Sequence, residues 1–309
     1  MEKVFYAFGT MNQIQVEDDI SMEILDQMEE TALKLDDLLS VFKPNSEISR
    51  INENAGLRPT KVSPDTIKLL ERSLYFSCIS KGTFDITIRP AVKLWSIGHK
   101  EQHIPTQQEL KEISHLIDYS KLYIDAVPGS AYLRKKGQAI DLGGIAKGYA
   151  ADLIREKLRK AGVKSCILNF GGTILTIGQK MNGSSWRVGV QNPLAKRGQS
   201  VGTVELKNAA LVTSAVNERF FIKEGVRYHH LLDPITLGPA QSGVLSVSAT
   251  GASAMDLDAL TTALFVMGME KGIEFAKNLG IEVLYLLDNG NIYATNGFIK
   301  KDLNFQSNN

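Results

Sequence analysis

The sequence predicts an α+β fold in which antiparallel sheets pack with helices. Three observations carry that reading. The chain opens on "VFYAFGTMNQIQVE" (residues 4–17), which alternates apolar and polar residues around a Gly-Thr turn, the pattern of a hairpin. Residues 164–250 are rich in strands and turns: "CILNFGG", "WRVGVQ", "VGTVEL", "AALVTSA", "RFFIKEG", "YHHLLD" and "GVLSVSAT". After two helical stretches the chain closes on "EVLYLLDNGNIYATNGF", strands around an Asp-Asn-Gly turn. Runs of neighbouring strands mixed with helices describe antiparallel sheets.

The elements follow in order. Residues 21–42 form an acidic amphipathic helix, with Met22, Ile24, Leu25, Met28, Leu33, Leu35, Leu38 and Leu39 at roughly helical spacing. Ser63-Pro64-Asp65 starts a second helix, with proline just inside, that runs to about residue 82. "TQQEL" (residues 106–110) places Thr at a cap and Glu109 three residues on, a capping box. "KLYIDAV" and "SAYLRKKGQAIDLG" read as paired strands around "PGS". Residues 145–161 are helical and end at Gly162. Further helices surround residues 258–267 and 270–279. No repeat, low-complexity linker or Pro/Ser-rich boundary divides the chain, so residues 1–309 read as one domain, with room for two lobes.

Composition excludes several classes. The 309 residues are 43% hydrophobic and 22% charged, ordinary for a globular protein. A formal net charge of +1 leaves no basic stripe to displace phosphate counterions, which argues against nucleic acid as a partner. Cys78 and Cys166 sit in apolar runs and read as buried free thiols. There is no CxxC and no HExxH. The N-terminus shows neither a basic-then-apolar leader nor an early cysteine for lipidation. No apolar run is long enough for a transmembrane segment. As written, the chain reads as cytoplasmic.

Five stretches carry possible chemistry. "DLGGIAKGYAAD" (residues 141–152) is not a P-loop, because Lys147 precedes Gly148 rather than following a glycine before Ser or Thr, and its glycine spacing is not that of a dinucleotide site. Two readings stand. Gly143 and Gly144 either admit an anion to the amides of a helix N-terminus beside Lys147, or simply turn the chain into a helix with Lys147 in solvent. In "MDLDALTTALFVMG", Asp258 and Thr262 lie four apart on one helix face with Thr261 adjacent. They suit a hard cation such as Mg²⁺, or else an N-cap aspartate with threonine on the polar face. In "RYHHLLDPITLGP", His229 and His230 point to opposite faces of a strand, so at most one faces a given site, ahead of an Asp233-Pro234 turn. "KGTFDITIRPAVKLW" sets Asp85 inside a strand-like run, where a carboxylate needs loop amides or a polar ligand group. "LSVFKPNSEISRIN", with Phe42, Ser46 and Asn52, is a helix-end loop or a ring-stacking lid.

Taken together and in this order, these stretches resemble the ApbE family, the FAD:protein FMN transferases. The resemblance runs from "FGT" (residues 8–10) to the helix after Asp258. It rests on Gly82-Thr83-Phe84-Asp85-Ile86-Thr87 with Pro90 and Trp95, on "DLGGIAKGYA", and on Asn169-Phe170-Gly171-Gly172. His230-Leu231-Leu232-Asp233-Pro234 and Asp258-Ala259-Leu260-Thr261-Thr262 complete the set. It implies an ApbE-like, T-fold-like architecture. The implied activity is Mg²⁺-dependent splitting of FAD, with FMN attached through a phosphoester to a Thr or Ser of a partner flavoprotein and AMP released. It further implies that Asp258, Thr262, Thr261 and the Gly144 carbonyl hold Mg²⁺. Phe8, Phe42, Asn52, Thr83, Phe84, Asp85, Asp141, Lys147 and His230 are the implied FAD contacts. In that scheme Lys147 neutralises charge on the leaving AMP, and His230 takes the proton of the incoming hydroxyl, with an aspartate as fallback.

Three positions depart from the family pattern. Thr173 stands where an aspartate often follows the two glycines, Ala215 replaces a glycine in "VTSAVNER", and Leu237-Gly238 shifts the glycine expected after Asp-Pro. "SATGAS" (residues 248–253) resembles the motif such enzymes modify, so Thr250 is either a self-modification site or the end of a strand before a glycine turn. Two other activities compete with transfer: an FAD pyrophosphatase giving FMN and AMP, and a non-catalytic FAD-binding protein.

Overall fold

The computed structural model describes residues 1–196 and 198–299. The strands are β1 (Glu2–Ala7), β2 (Thr10–Val16), β3 (Thr60–Lys61), β4 (Leu122–Asp125), β5 (Ser130–Leu133), β6 (Cys166–Phe170), β7 (Thr173–Ile177), β8 (Trp186–Gln191), β9 (Ser200–Leu206), β10 (Ala210–Ala215), β11 (Phe220–Lys223), β12 (Val226–His229), β13 (Val244–Gly251), β14 (Glu282–Leu287) and β15 (Ile292–Ala294). The helices are α1 (Met22–Leu39), α2 (Glu47–Glu53), α3 (Pro64–Ile79), α4 (Arg89–Trp95), α5 (Gln107–Ser114), α6 (Ala146–Lys160), α7 (Ala254–Met267), α8 (Met269–Asn278) and α9 (Asn296–Ile299). Every pairing among these strands is antiparallel, as the α+β reading requires. No helix among the described residues is long and apolar enough to cross a membrane.

The chain divides into two compact units. The first comprises Met1–Lys34, Lys147–Ala215 and Gly243–Asn309. Its frame is an eight-stranded sheet in the order β1-β2-β6-β7-β10-β13-β14-β15. The β1–β2 hairpin turns on two residues, Phe8 (φ 54°) and Gly9 (φ 71°), with Ala7 opposite Thr10. Thr10 therefore belongs to β2, and the corner lies one residue earlier than the Gly-Thr turn expected. α7 packs on β10 and β13. It is buried on nearly every side, including Leu257, Leu260, Leu264 and Phe265, which makes its buried Asp258 and Thr261 exceptional. The β8–β9 hairpin contributes Trp186, Val188, Val190, Val204 and Leu206 to a core shared with Leu211, Leu284, Leu286 and Phe298. Cys166 is a buried thiol at the start of β6, as expected, whereas Cys78 is exposed: α3 places it on its outer side.

The second unit comprises Leu35–Ala146 and Val216–Ser242. It holds α2 to α5, a β3-β5-β4 sheet and the β11–β12 hairpin. Its core gathers Ala91, Trp95, Ile97, Leu110, Leu232 and Leu237, and the Trp95 indole donates to the Leu237 carbonyl at 2.7 Å. The capping box at Thr106 and Glu109 is present with both of its hydrogen bonds. The strand proposed for residues 130–143 pairs only over Ser130–Leu133. α1 stops at Leu39, short of Phe42, and α3 stops at Ile79, because Lys81 and Gly82 both take positive φ.

His229 ends β12 with its ring buried and Nε2 3.2 Å from the Ala240 carbonyl oxygen. Burial pushes its pKa down to about 4 from 6.5. The unfolded chain takes up this proton near pH 6.5 and the folded chain resists until about pH 4. Stability is therefore complete above the unfolded value and drains as the pH falls between the two, by up to about 3 kcal/mol. The unfolding midpoint should drop over that window, and His229→Gln should flatten the slope. Equal slopes in both proteins would show that His229 does not carry the effect.

Candidate active site

The first group of site residues is built by α6 and α7. The amides of Ile145 and Ala146 close onto the Leu142 carbonyl, and this turn through Gly143 and Gly144 leads into α6. Lys147 and Gly148 thus lie in its first turn. Ser253 caps α7 by accepting the Asp256 amide, so Asp258 lies in the second turn and is not the N-cap. The side chain of Asp258 is 8% exposed. Its Oδ2 accepts the Gly148 amide at 3.0 Å, and its Oδ1 stands 3.7 Å from Lys147 Nζ. Lys147 is thereby turned toward a carboxylate rather than left to solvent. Burying a carboxylate costs several kcal/mol unless charge and hydrogen bonds compensate, and here an amide and an ammonium do so.

The two threonines complete this group. Thr261 and Thr262 both donate their hydroxyls to the Asp258 main-chain oxygen, at 3.2 and 3.3 Å. Thr261 Oγ1 also accepts from Ser214 of β10 at 3.0 Å. Ser214 is a residue that sequence reasoning passed over, although it sits in the same "VTSAVNER" segment. Asp152 of α6 fixes the start of α7 by accepting from Ser253 Oγ and the amides of Ala254 and Met255 at 3.0–3.1 Å. Gly148 allows the close approach: a Cβ there would lie 2.2 Å from the Ala254 carbonyl oxygen.

Among the described residues no cluster of three His, Cys, Asp or Glu side chains could hold a metal. A cation here would depend on one carboxylate with hydroxyl and carbonyl oxygens. That all-oxygen set excludes zinc-type ligation and fits a hard cation such as Mg²⁺, which keeps several waters. Asp258 Oδ1, beyond hydrogen-bond distance of Lys147, is the oxygen suited to it.

The second group lies in the other unit. Asp141 accepts the Gly143 amide on Oδ1 at 2.9 Å and the Arg89 guanidinium on Oδ2 at 3.2 Å. Arg89 also lies over the Phe42 ring, 4.9 Å from its centroid. Asn52 grips the main chain just before Asp141, donating to the Ile140 oxygen at 3.0 Å and accepting its amide at 2.7 Å. Asp85 is not in a strand. It caps the 3-10 turn Ile86–Ile88, accepting the Thr87 amide and hydroxyl at 2.7 Å and the Tyr119 amide at 3.1 Å. The loop-amide alternative for this buried carboxylate is the one found. Burial raises its pKa, and the hydrogen bonds from Thr87 and Tyr119 oppose that rise. Phe84 is buried, its amide bound to Ser80 Oγ, and Thr83 Oγ1 donates to the Ser80 oxygen.

His230 follows β12, with Nδ1 3.2 Å from the Arg219 oxygen. A carbonyl only accepts, so Nδ1 is the donor in this bond, and the neutral ring in that tautomer carries its lone pair on Nε2. Phe8, in the first unit, occupies the β1–β2 corner.

The departures have physical readings. Leu237 takes φ 60°, a conformation glycine adopts at little cost, and is held there by burial against Trp95. Thr173 is buried at the head of β7, and Ala215 ends β10 beside Ser214. Thr250 lies buried inside β13, between Leu211 of β10 and Glu282 of β14, so the strand reading of "SATGAS" is the one the fold adopts.

The model of the ApbE family matches residues 8–285. An FAD:protein FMN transferase of Treponema pallidum is 33% identical over 278 residues, covering 85% of this chain and 77% of that protein. One of Klebsiella pneumoniae is 33% identical over 239 residues, covering 77% and 74%. Among solved structures, the ApbE protein of Thermotoga maritima superposes with a TM-score of 0.90 at 30% identity, covering 98% of this chain and 99% of that one. The flavin transferase ApbE of Vibrio cholerae gives 0.87 at 27% identity, covering 97% and 98%. By sequence and fold the chain belongs to the ApbE family of transferases.

Proposed function

We propose that this chain splits FAD and attaches FMN through a phosphoester to a Thr or Ser hydroxyl of a partner flavoprotein, with AMP as the leaving group and Mg²⁺ as the cofactor. Residues 1–309 are read as a single transferase domain. The observation that supports this most is the buried Asp258 carboxylate, set between the Gly148 amide and Lys147 beside two threonine hydroxyls. A carboxylate so deeply placed, with hydroxyls on the next turn, is an expensive arrangement unless a cation site uses it.

In this reading Asp258, Thr261, Thr262 and the Gly144 carbonyl would hold Mg²⁺. When bound, the ion supplies positive charge at the pyrophosphate oxygens, which otherwise repel a nucleophile. Lys147 places an ammonium where the charge of departing AMP develops. His230 Nε2 receives the proton of the incoming hydroxyl, and its Nδ1 bond to Arg219 fixes the ring for that task. Asp141, Phe42 and Phe8 contact FAD directly. Asn52, Asp85, Thr83 and Phe84 shape its binding surface largely by fixing backbone, since their polar atoms are already engaged there.

AMP release from FAD, measured with and without an acceptor flavoprotein domain, tests the proposal. Release should require both acceptor and Mg²⁺ and should stop on addition of a chelator. AMP and free FMN formed at the same rate without acceptor would instead make the protein a pyrophosphatase. FAD bound without turnover would make it a carrier.

A further inference from the structure

In the second unit the Arg89 guanidinium touches side chains from two other stretches, Asp141 and Phe42. Arg89, at the start of α4, is 16% exposed along its side chain and donates from Nη1 to Asp141 Oδ2 at 3.2 Å. Its Cζ lies 4.9 Å from the centroid of the Phe42 ring. On that ring His99 also packs, with centroids 5.6 Å apart and planes at 42°. Phe42 nevertheless remains 60% exposed, in the loop after α1 and outside the Trp95 core. The second oxygen of Asp141 is occupied by the Gly143 amide, so the carboxylate is oriented from two sides.

The Arg89–Asp141 pair is only partly exposed, at 16% and 19% of the two side chains, yet a single ion pair and a single cation–π contact contribute modestly to stability. Their consequence here is geometric, because one planar cation fixes both a ring plane and a carboxylate. We infer that Arg89 is a positioning residue for FAD. It holds Phe42 and Asp141 in one arrangement that receives a flat ring carrying an N–H donor: the ring lies against Phe42 and the donor meets Asp141. Adenine, through its amino group, and isoalloxazine, through its imide N–H, share this chemistry. Sequence reasoning did not single out Arg89, and the inference rests on the proposed roles of Phe42 and Asp141 toward FAD. Pre-ordering both groups removes an ordering cost that binding would otherwise carry.

The test titrates FAD into the metal-free full-length protein by flavin fluorescence, for wild type, Arg89→Ala and Arg89→Lys. It is paired with kcat and KM for FAD in the presence of acceptor and with the ligand-free melting midpoint. Arg89→Ala should raise Kd and KM about tenfold with kcat changed less than about twofold, the signature of lost uniform binding. The ligand-free midpoint should stay near that of wild type. Arg89→Lys keeps a charge beside Asp141 but no flat group over Phe42, and should raise Kd by about threefold; it decides the matter if Arg89→Ala is unstable. Titrations of AMP and FMN separate the two rings: weakened binding of either supports the inference, and weakening of neither overturns it. Wild-type affinity for FAD in both variants, or a fall in kcat with KM unchanged, overturns it as well. A wild-type protein that binds no FAD, with Mg²⁺ or without it, would overturn the transferase proposal and this inference with it.

Discussion

Asp258→Asn is expected to lower FMN transfer by about 10³-fold or more, which corresponds to losing several kcal/mol of charge stabilisation. Asparagine keeps the shape and an oxygen able to accept the Gly148 amide, which Asp258 now binds at 3.0 Å. What it removes is the negative charge beside Lys147 and the strongest ligand for a hard cation. Alanine should be as inactive, and less stable too, because a buried amide left without its acceptor costs about 1–3 kcal/mol. A binding readout separates the two effects. Mg²⁺ should raise the melting midpoint of the wild type by mass action and leave that of Asp258→Asn unchanged. Transfer within about threefold of wild type in Asp258→Asn would remove this residue from the cation site, since a lost charged ligand is worth far more.

Gly148→Ala is the second large effect, and here two principles oppose each other. In a helix interior, alanine is favoured over glycine by about 0.5–1 kcal/mol. A Cβ at Gly148 would, however, stand 2.2 Å from the Ala254 carbonyl oxygen and 2.7 Å from Met255 Cα. Both obstacles are backbone, so no rotamer change relieves them. Overpacking of this kind costs about 1–3 kcal/mol or more, and it should win. α6 and α7 must then separate, which draws the Gly148 amide and Lys147 away from Asp258. Loss of both thermal stability and transfer is expected. Gly143→Ala is the comparison, since a Cβ there meets only the Asp141 carboxylate, at 3.1 Å. An unchanged melting midpoint in Gly148→Ala would mean that the two helices are not held in contact at this glycine.

Much of the fold was legible because the signals were local. The opening hairpin, the Thr106 capping box and the helix ending at Gly162 each declare themselves within a few residues. The errors came where tertiary context decides. Asp85 looked like a strand residue because Phe, Ile and Thr surround it, yet its carboxylate terminates the run by capping the next turn. The N-cap alternative for Asp258 fails because Ser253, two residues after β13 ends at Gly251, takes that role. Taken alone, each motif left a structural and a functional reading open, and the proposed site residues came from the family resemblance of the ordered set. Arg89, Ser214 and Asp152 were not among them, because each acts on residues 47 to 103 positions away, and nothing in local spacing reports such a partner.

The central claim is that the product is a covalently modified protein. Intact mass of an acceptor flavoprotein domain, after incubation with this protein, FAD and Mg²⁺, tests it most directly. The expected spectrum shows the acceptor heavier by one FMN less one water, with fragmentation placing the addition on a Thr or Ser hydroxyl and an equal amount of AMP in solution. An acceptor of unchanged mass alongside accumulating FMN and AMP would contradict the account.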